Sequence, residues 1–230
     1  MWSLIYRRLI YRRLRYLSVV EYLRLRLKGS ARLWLAPIRF NLNIKPDDIL
    51  IDCGAHVGDV TSLFARTGAT VYAFEPNPVC AKIIARRFRL LKNVRCYQKG
   101  AMDRAGYFML QIPGPHEEWD ALDSALGASF TPETMQRRRY DVTEVQIECV
   151  DLDDFIRSLG KRVRLLKLDV EGAEVGILNR ILDTRTIDLI DFVVAETHER
   201  LSPALSVSTA ALRRRVEAAN LNEKIRLDWI

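Results

Sequence analysis

The chain has 230 residues, 49% of them apolar, enough to bury the core of one full α/β domain but cramped for two. Its formal charge of +7 is unevenly placed: residues 1–28 hold eight Arg and Lys against the single acid Glu21, so the remaining residues sum to zero. The basic balance therefore belongs to the N-terminal segment, which counts against a nucleic-acid-binding face on the domain itself. Four scattered cysteines without a C-x-x-C pair, and three histidines without close spacing, argue against structural zinc and for buried thiols in a reducing, cytoplasmic setting.

In chain order, residues 1–28 carry a tandem near-repeat, Leu4-Ile5-Tyr6-Arg7-Arg8 and Leu9-Ile10-Tyr11-Arg12-Arg13. A five-residue period spreads arginines around a helix instead of making one stripe. The segment shows neither the apolar core of a signal peptide nor a bilayer-spanning run. Two readings stay open: peripheral contact with an anionic membrane at its inner face, and a solvated, oligomerising or lid-forming helix pair. Residues 1–46 are taken as extension and linker, and residues 47–230 as the domain.

From Asp48 onward strand and helix patterns alternate, which implies right-handed crossovers and a mostly parallel sheet with helices on both faces. Strands are expected at 49–52, 70–74, 94–98, 143–149, 163–168, 189–195 and 225–229. Helices are expected at 59–67, 78–91, 152–159, 173–182 and 209–219, with a hairpin-like piece at 106–112. Residues 113–140 read as an irregular loop long enough to be functional. Trp119 among acids suits a carbohydrate face there, and Arg137, Arg138 and Arg139 suit phosphate; a solvated acidic turn explains the first at least as well, and a plain surface charge run is the commoner explanation of the second.

Three of the strands end in acids. In ILIDCGAHVG the apolar run reaches Asp52, and Gly54 and Gly58 follow four apart. Glycine permits φ > 0 and close approach of backbone to a ligand. Asp52 at the strand mouth would repel a pyrophosphate but pair with an ammonium group, directly or through water, which leans toward S-adenosylmethionine. Glu75 ends the next strand, where an acid accepts both hydroxyls of an adenosine ribose. It also precedes Pro76, Asn77 and Pro78, the opening of a helix that an acid would stabilise. Beyond the third strand, Ala101 and Met102 lie where an adenine edge would rest, though Met102 as core filler competes with that reading.

The runs IDCGAHVGDVT, VYAFEPNP, LLKLDVEGAEVGILN and ETHERL resemble the FkbM family of S-adenosylmethionine-dependent methyltransferases over about residues 47–229. The resemblance implies a class I methyltransferase fold, Rossmann-like, with a seven-stranded sheet whose last strand is antiparallel. It also implies O-methylation of a hydroxyl on a sugar, glycan or similar metabolite. Carried across by position, Asp52, Gly54, Gly58 and Glu75 would hold the cofactor and Asp169 would lie beside the methyl donor. His56 stands where the family usually has Asn, which changes a turn hydrogen bond or adds a titratable group.

Transfer from a sulfonium is an in-line displacement, so the acceptor oxygen must be aligned and deprotonated. Asp169, Glu171 and His198 are the candidate bases, with His198 favoured as base or acceptor-orienting group and Asp169 as positioning group. Glu171 and Glu174 also suit charge compensation at a helix start. Oxygen ligands would let a divalent metal bridge Asp169 with Glu171 or Glu196, although nothing in the spacing demands one. The expected partner is a small-molecule or glycan acceptor, and a homo-oligomer is an open expectation. The competing class is a nucleic-acid-binding or RNA-modifying protein using the basic arm.

Overall fold

In a computed structural model, residues 42–113 and 142–227 are described, and from Ile44 onward they belong to one compact unit, Ile44–Trp229. The basic segment 1–28 and the long loop with Trp119 and the three arginines lie outside the described residues.

The chain enters the sheet at β1 (Ile49–Cys53), buried at every position, as a strand covered on both faces must be. Helix α1 (Asp59–Ala65) returns it to β2 (Thr70–Phe74), and α2 (Pro78–Phe88) to β3 (Val94–Tyr97). Asn77 caps α2 by accepting from Val79 N–H at 2.9 Å, and Pro78 takes the first helical turn, where a missing N–H costs nothing. Next come β4 (Gly100–Met102), β5 (Gly106–Pro113) and β6 (Val142–Asp151). Helix α3 (Leu152–Ser158) leads to β7 (Leu165–Leu168), and α4 (Glu174–Asp183) with a 3₁₀ turn (Thr186–Leu189) leads to β8 (Val193–Ala195). A second 3₁₀ turn (Glu199–Leu201) and α5 (Pro203–Ala218) precede β9 (Ile225–Arg226).

The main sheet has the order β3-β2-β1-β7-β8-β9, and every pairing in it is parallel. Strand order reverses between β1 and β7, and in such sheets the crevice at the carboxyl ends of those two strands is where ligands bind. Residues of β1, β2, β7, β8, α4 and α5 share one core that includes Ile51, Phe74, Leu166, Ile177, Val193 and Leu212. Phe155 of α3 packs edge-on against Phe74, 5.0 Å between ring centres, tying that helix to β2.

Several expectations are corrected. Among the described residues the main sheet has six strands, not seven, and its last pairing, β8 with β9, is parallel instead of antiparallel. The reason is that α5 carries the chain back across the sheet before β9 begins, and a helical crossover delivers a parallel strand. The hairpin-like piece is one long strand, β5, antiparallel to β6 over eight register positions. With β4, missed in the sequence, these strands form a separate sheet of order β4-β6-β5. Helix α5 begins at Pro203, six residues earlier than its apolar periodicity suggested, because Ser202 accepts from Leu205 N–H at 3.1 Å and caps it there. The strand expected from residue 189 begins only at Val193, since residues 186–189 turn as a 3₁₀ helix and Asp191 is drawn aside by Arg162 and Arg164.

Candidate active site

The β1 turn is built around backbone conformations that few residues tolerate. Gly54, His56 and Gly58 all have positive φ, at 75°, 52° and 85°. His and Asn are enriched there among non-glycine residues, so His56 in place of Asn keeps the turn accessible. Packing within the protein also demands these glycines. A Cβ on Gly54 would lie 1.8 Å from the Asp169 carbonyl oxygen, and one on Gly58 would lie 2.5 Å from the Phe88 ring. What they admit is the β7 turn and helix α2.

Glu75, buried at the end of β2, clamps the same turn. Its carboxylate accepts from His56 N–H at 2.7 Å and from Asn77 N–H at 2.8 Å. Burial raises its pKa to about 7, although those two N–H groups pull the other way. Glu75, Pro76 and Asn77 thus form a unit in which the acid both orders the turn and leaves further lone pairs for hydroxyl donors.

Asp52 lies beneath the turn instead of at its mouth. The residue is 0% exposed, with Oδ2 accepting from the Thr61 hydroxyl at 2.6 Å and Oδ1 3.2 Å from Lys167 Nζ. The expected pairing with a cofactor ammonium is therefore replaced by pairing with a buried lysine. Lys167 also donates to the carbonyls of Cys53 and Gly54, at 3.1 and 2.8 Å, and stands 3.4 Å from Asp169 Oδ2. Burial alone would lower its pKa, but Asp52 and Asp169 outweigh that and hold it above its ordinary value. One cation thus links the β1 turn to the β7 end. The sequence signal was there to read: a lysine inside the fully apolar run LLKL must find an acid.

Beyond β7 the chain turns through Asp169 to Ala173. Glu171 has φ 54° and Gly172 φ 113°, and the turn is pinned by Glu174. Its buried carboxylate accepts from Val170 N–H at 2.8 Å and Gly172 N–H at 3.0 Å, and meets His198 Nδ1 at 3.0 Å. The charge-compensation reading of Glu174 understated this role. His198, from the end of β8, is 4% exposed; its Nε2 lies 3.6 Å from Glu171, 3.8 Å from Asp169 and 3.9 Å from Glu196. Burial would lower its pKa, yet the hydrogen bond and charge of Glu174, with Glu171 and Asp169, raise it to about 9. Among these carboxylates the ring keeps its proton at neutral pH, which suits the orienting role expected of it more than that of base. Glu196, not among the expected catalytic groups, joins the cluster: its N–H donates to Leu168 O at 2.9 Å, and its pKa is raised by burial and by Asp169.

Asp169, Glu171 and His198 are thereby brought together, and Asp52, Gly54, His56, Gly58 and Glu75 form the adjoining turn. Ala101 and Met102 belong to β4. Ala101 is packed in the hydrophobic core, and Met102 pairs with Asp151 in the second sheet. All four cysteines are free thiols, three of them buried.

An all-parallel sheet with acid-ended strands converging at its switch point is the arrangement in which α/β proteins bind ligands beyond the carboxyl ends of their strands. A family model described as "Methyltransferase FkbM domain" matches residues 52–220. "Methyltransferase sdnD" of Sordaria araneosa is 32% identical over 68% of this chain and 69% of its own length. "31-O-demethyl-FK506 methyltransferase FkbM" of Streptomyces tacrolimicus is 30% identical over 76% of this chain and 75% of its own. The chain belongs to the FkbM family of S-adenosylmethionine-dependent methyltransferases.

Proposed function

We propose that this enzyme transfers the methyl group of S-adenosylmethionine to a hydroxyl oxygen of a sugar, glycan or related metabolite. The observation that carries the reading is the juxtaposition of the Glu75-clamped turn with the Asp169, Glu171, His198 cluster across the β1–β7 crevice. The residues fit the cofactor: Glu75, at the end of β2, has lone pairs left for two ribose hydroxyls, and the open backbone turn beside it takes the amino-acid end. S-adenosylmethionine supplies the electrophilic methyl. Glu171 accepts the proton from the acceptor hydroxyl, Asp169 positions the acceptor, and the His198 imidazolium, held by Glu174, orients that oxygen and moderates the charge of the carboxylates. The Streptomyces relative is named for an O-demethyl substrate, which supports oxygen as the acceptor atom.

The acceptor is a small molecule or glycan met on the cytoplasmic side, with residues 1–28 touching an anionic membrane face. Among the described residues no helix is long and apolar enough to cross a membrane. Calorimetric titration with S-adenosylmethionine and S-adenosylhomocysteine, with Glu75→Ala as control, tests the cofactor site. Binding weakened by the substitution, followed by methyl incorporation into a hydroxylated acceptor, supports the reading; folded protein that binds neither nucleoside overturns it. Vesicles containing anionic lipid, with full chain and a variant lacking residues 1–28, test the membrane contact.

A further inference from the structure

Three side chains at the carboxyl ends of β7 and β8 point at one small volume. One oxygen each of Asp169 and Glu196 and one nitrogen of His198 all lie within 4.8 Å of one another. The two edges that meet at His198 Nε2, 3.8 Å to Asp169 Oδ1 and 3.9 Å to Glu196 Oε1, are too long for hydrogen bonds. They are shorter than the roughly 4.4 Å that two ligands on opposite sides of a small divalent ion span. The acids alone would be only an acidic cluster. The second observation is the imidazole: the residue is 4% exposed, its Nδ1 is anchored on Glu174, and its Nε2 faces carboxylates without a hydrogen bond among the described residues. Glu174 is itself immobilised by Val170 and Gly172 N–H. A carboxylate that fixes a histidine's far nitrogen is the arrangement that orients imidazole ligands toward a metal.

Two cations approach these acids. Lys167 approaches Asp169 through Oδ2, the oxygen opposite the one facing His198, and is shared with Asp52. Arg200 reaches Glu196 Oε1 at 3.4 Å from a side chain that is 71% exposed, and an exposed ion pair of this kind contributes little.

We infer that Asp169, Glu196 and His198 form a divalent-cation site, with two carboxylate oxygens and one imidazole nitrogen as protein ligands and the remaining positions open to the crevice. Carboxylate oxygens suit Mn²⁺ and an imidazole nitrogen binds first-row divalent ions generally, so paramagnetic Mn²⁺ serves as the probe of the site. Binding displaces the Nε2 proton of His198 to solvent. The ion's placement deepens the functional reading and rests on it in one respect: the open positions take the acceptor's hydroxyl oxygen, which would otherwise be held by the imidazolium alone.

The test is titration of the full-length protein with Mn²⁺ alone, the free ion being counted by electron paramagnetic resonance, in the absence of cofactor and acceptor. One Mn²⁺ per chain is expected, with affinity reduced at least tenfold by Glu196→Gln and by His198→Ala and unchanged by Asp188→Asn. Circular dichroism confirms that each variant is folded, and the conservative Glu196→Gln keeps the test valid if His198→Ala is not. No bound Mn²⁺ at millimolar concentration, or binding that survives Glu196→Gln, overturns the site. The cofactor titration stands apart from this one: Mn²⁺ binding without S-adenosylmethionine binding would keep the site and remove the functional reading, and the converse would remove the site alone.

Discussion

Lys167→Met is the most informative perturbation of the fold. Lys167 is 2% exposed and serves two acids and two carbonyls at once, all within 3.4 Å of Nζ. Methionine keeps the length and the apolar stem but removes the charge, leaving the fully buried Asp52 carboxylate with the Thr61 hydroxyl as its remaining strong partner. Breaking a buried pair from one side costs about 3–5 kcal/mol, a large share of the roughly 5–15 kcal/mol that holds a domain together. At about 2–4 °C per kcal/mol for a domain of this size, Tm should fall by about 6–20 °C. Urea denaturation and calorimetry of the single variant read the loss. Asp52→Asn in the Lys167→Met background removes the stranded charge and should recover at least about 1 kcal/mol of it, within the range that coupled neighbours show. A loss under about 1 kcal/mol, or no recovery in the double variant, would refute the claim that this cation holds the β1 and β7 ends together.

Three further outcomes are expected. Gly54→Ala forces a Cβ to within 1.8 Å of the Asp169 carbonyl at φ 75° and should cost about 3 kcal/mol or more, read by denaturation; a variant of wild-type stability would show that the turn relaxes freely. Because the Glu75 pKa lies at about 7 and only the ionised form accepts two hydroxyls, the Kd for S-adenosylmethionine should weaken about tenfold between pH 8 and pH 6; a flat calorimetric profile would remove Glu75 from ribose binding. His198 is raised from its ordinary value to about 9, so its contribution to stability is complete below pH 6.5 and lost as pH rises through 9. The loss should reach up to about 3 kcal/mol, visible in urea titrations with EDTA and missing from His198→Gln; an equal slope in that variant contradicts the assignment.

Much of the fold was legible because its elements are locally consistent. β2 falls on the residues its apolar run predicted, and α2 begins where Asn77-Pro78 announces a cap. The acids at the ends of β1, β2 and β7 were visible as breaks in apolar runs. Errors arose where neighbours in space outweighed neighbours in sequence. Helix α5 starts within a Ser- and Ala-rich stretch of little amphipathic pattern, so only the Ser202-Pro203 cap marked it. The three-stranded second sheet could not be told from further strands of the first, since strand pattern says nothing of partner.

The sequence by itself determined that this chain makes a parallel sheet, that acids stand at three strand ends, and that residues 54–58 form a turn needing positive φ. Those properties depend on side-chain periodicity and on backbone sterics within a few residues. The tertiary structure alone decided that Asp52 is buried against a lysine more than a hundred positions away, that Gly54 yields space to Asp169, and that Glu196 joins Asp169 around His198. The strand order sets these, because placing β7 beside β1 and β8 beside β7 brings distant acids and cations within 4 Å, where burial makes each charge depend on its partner.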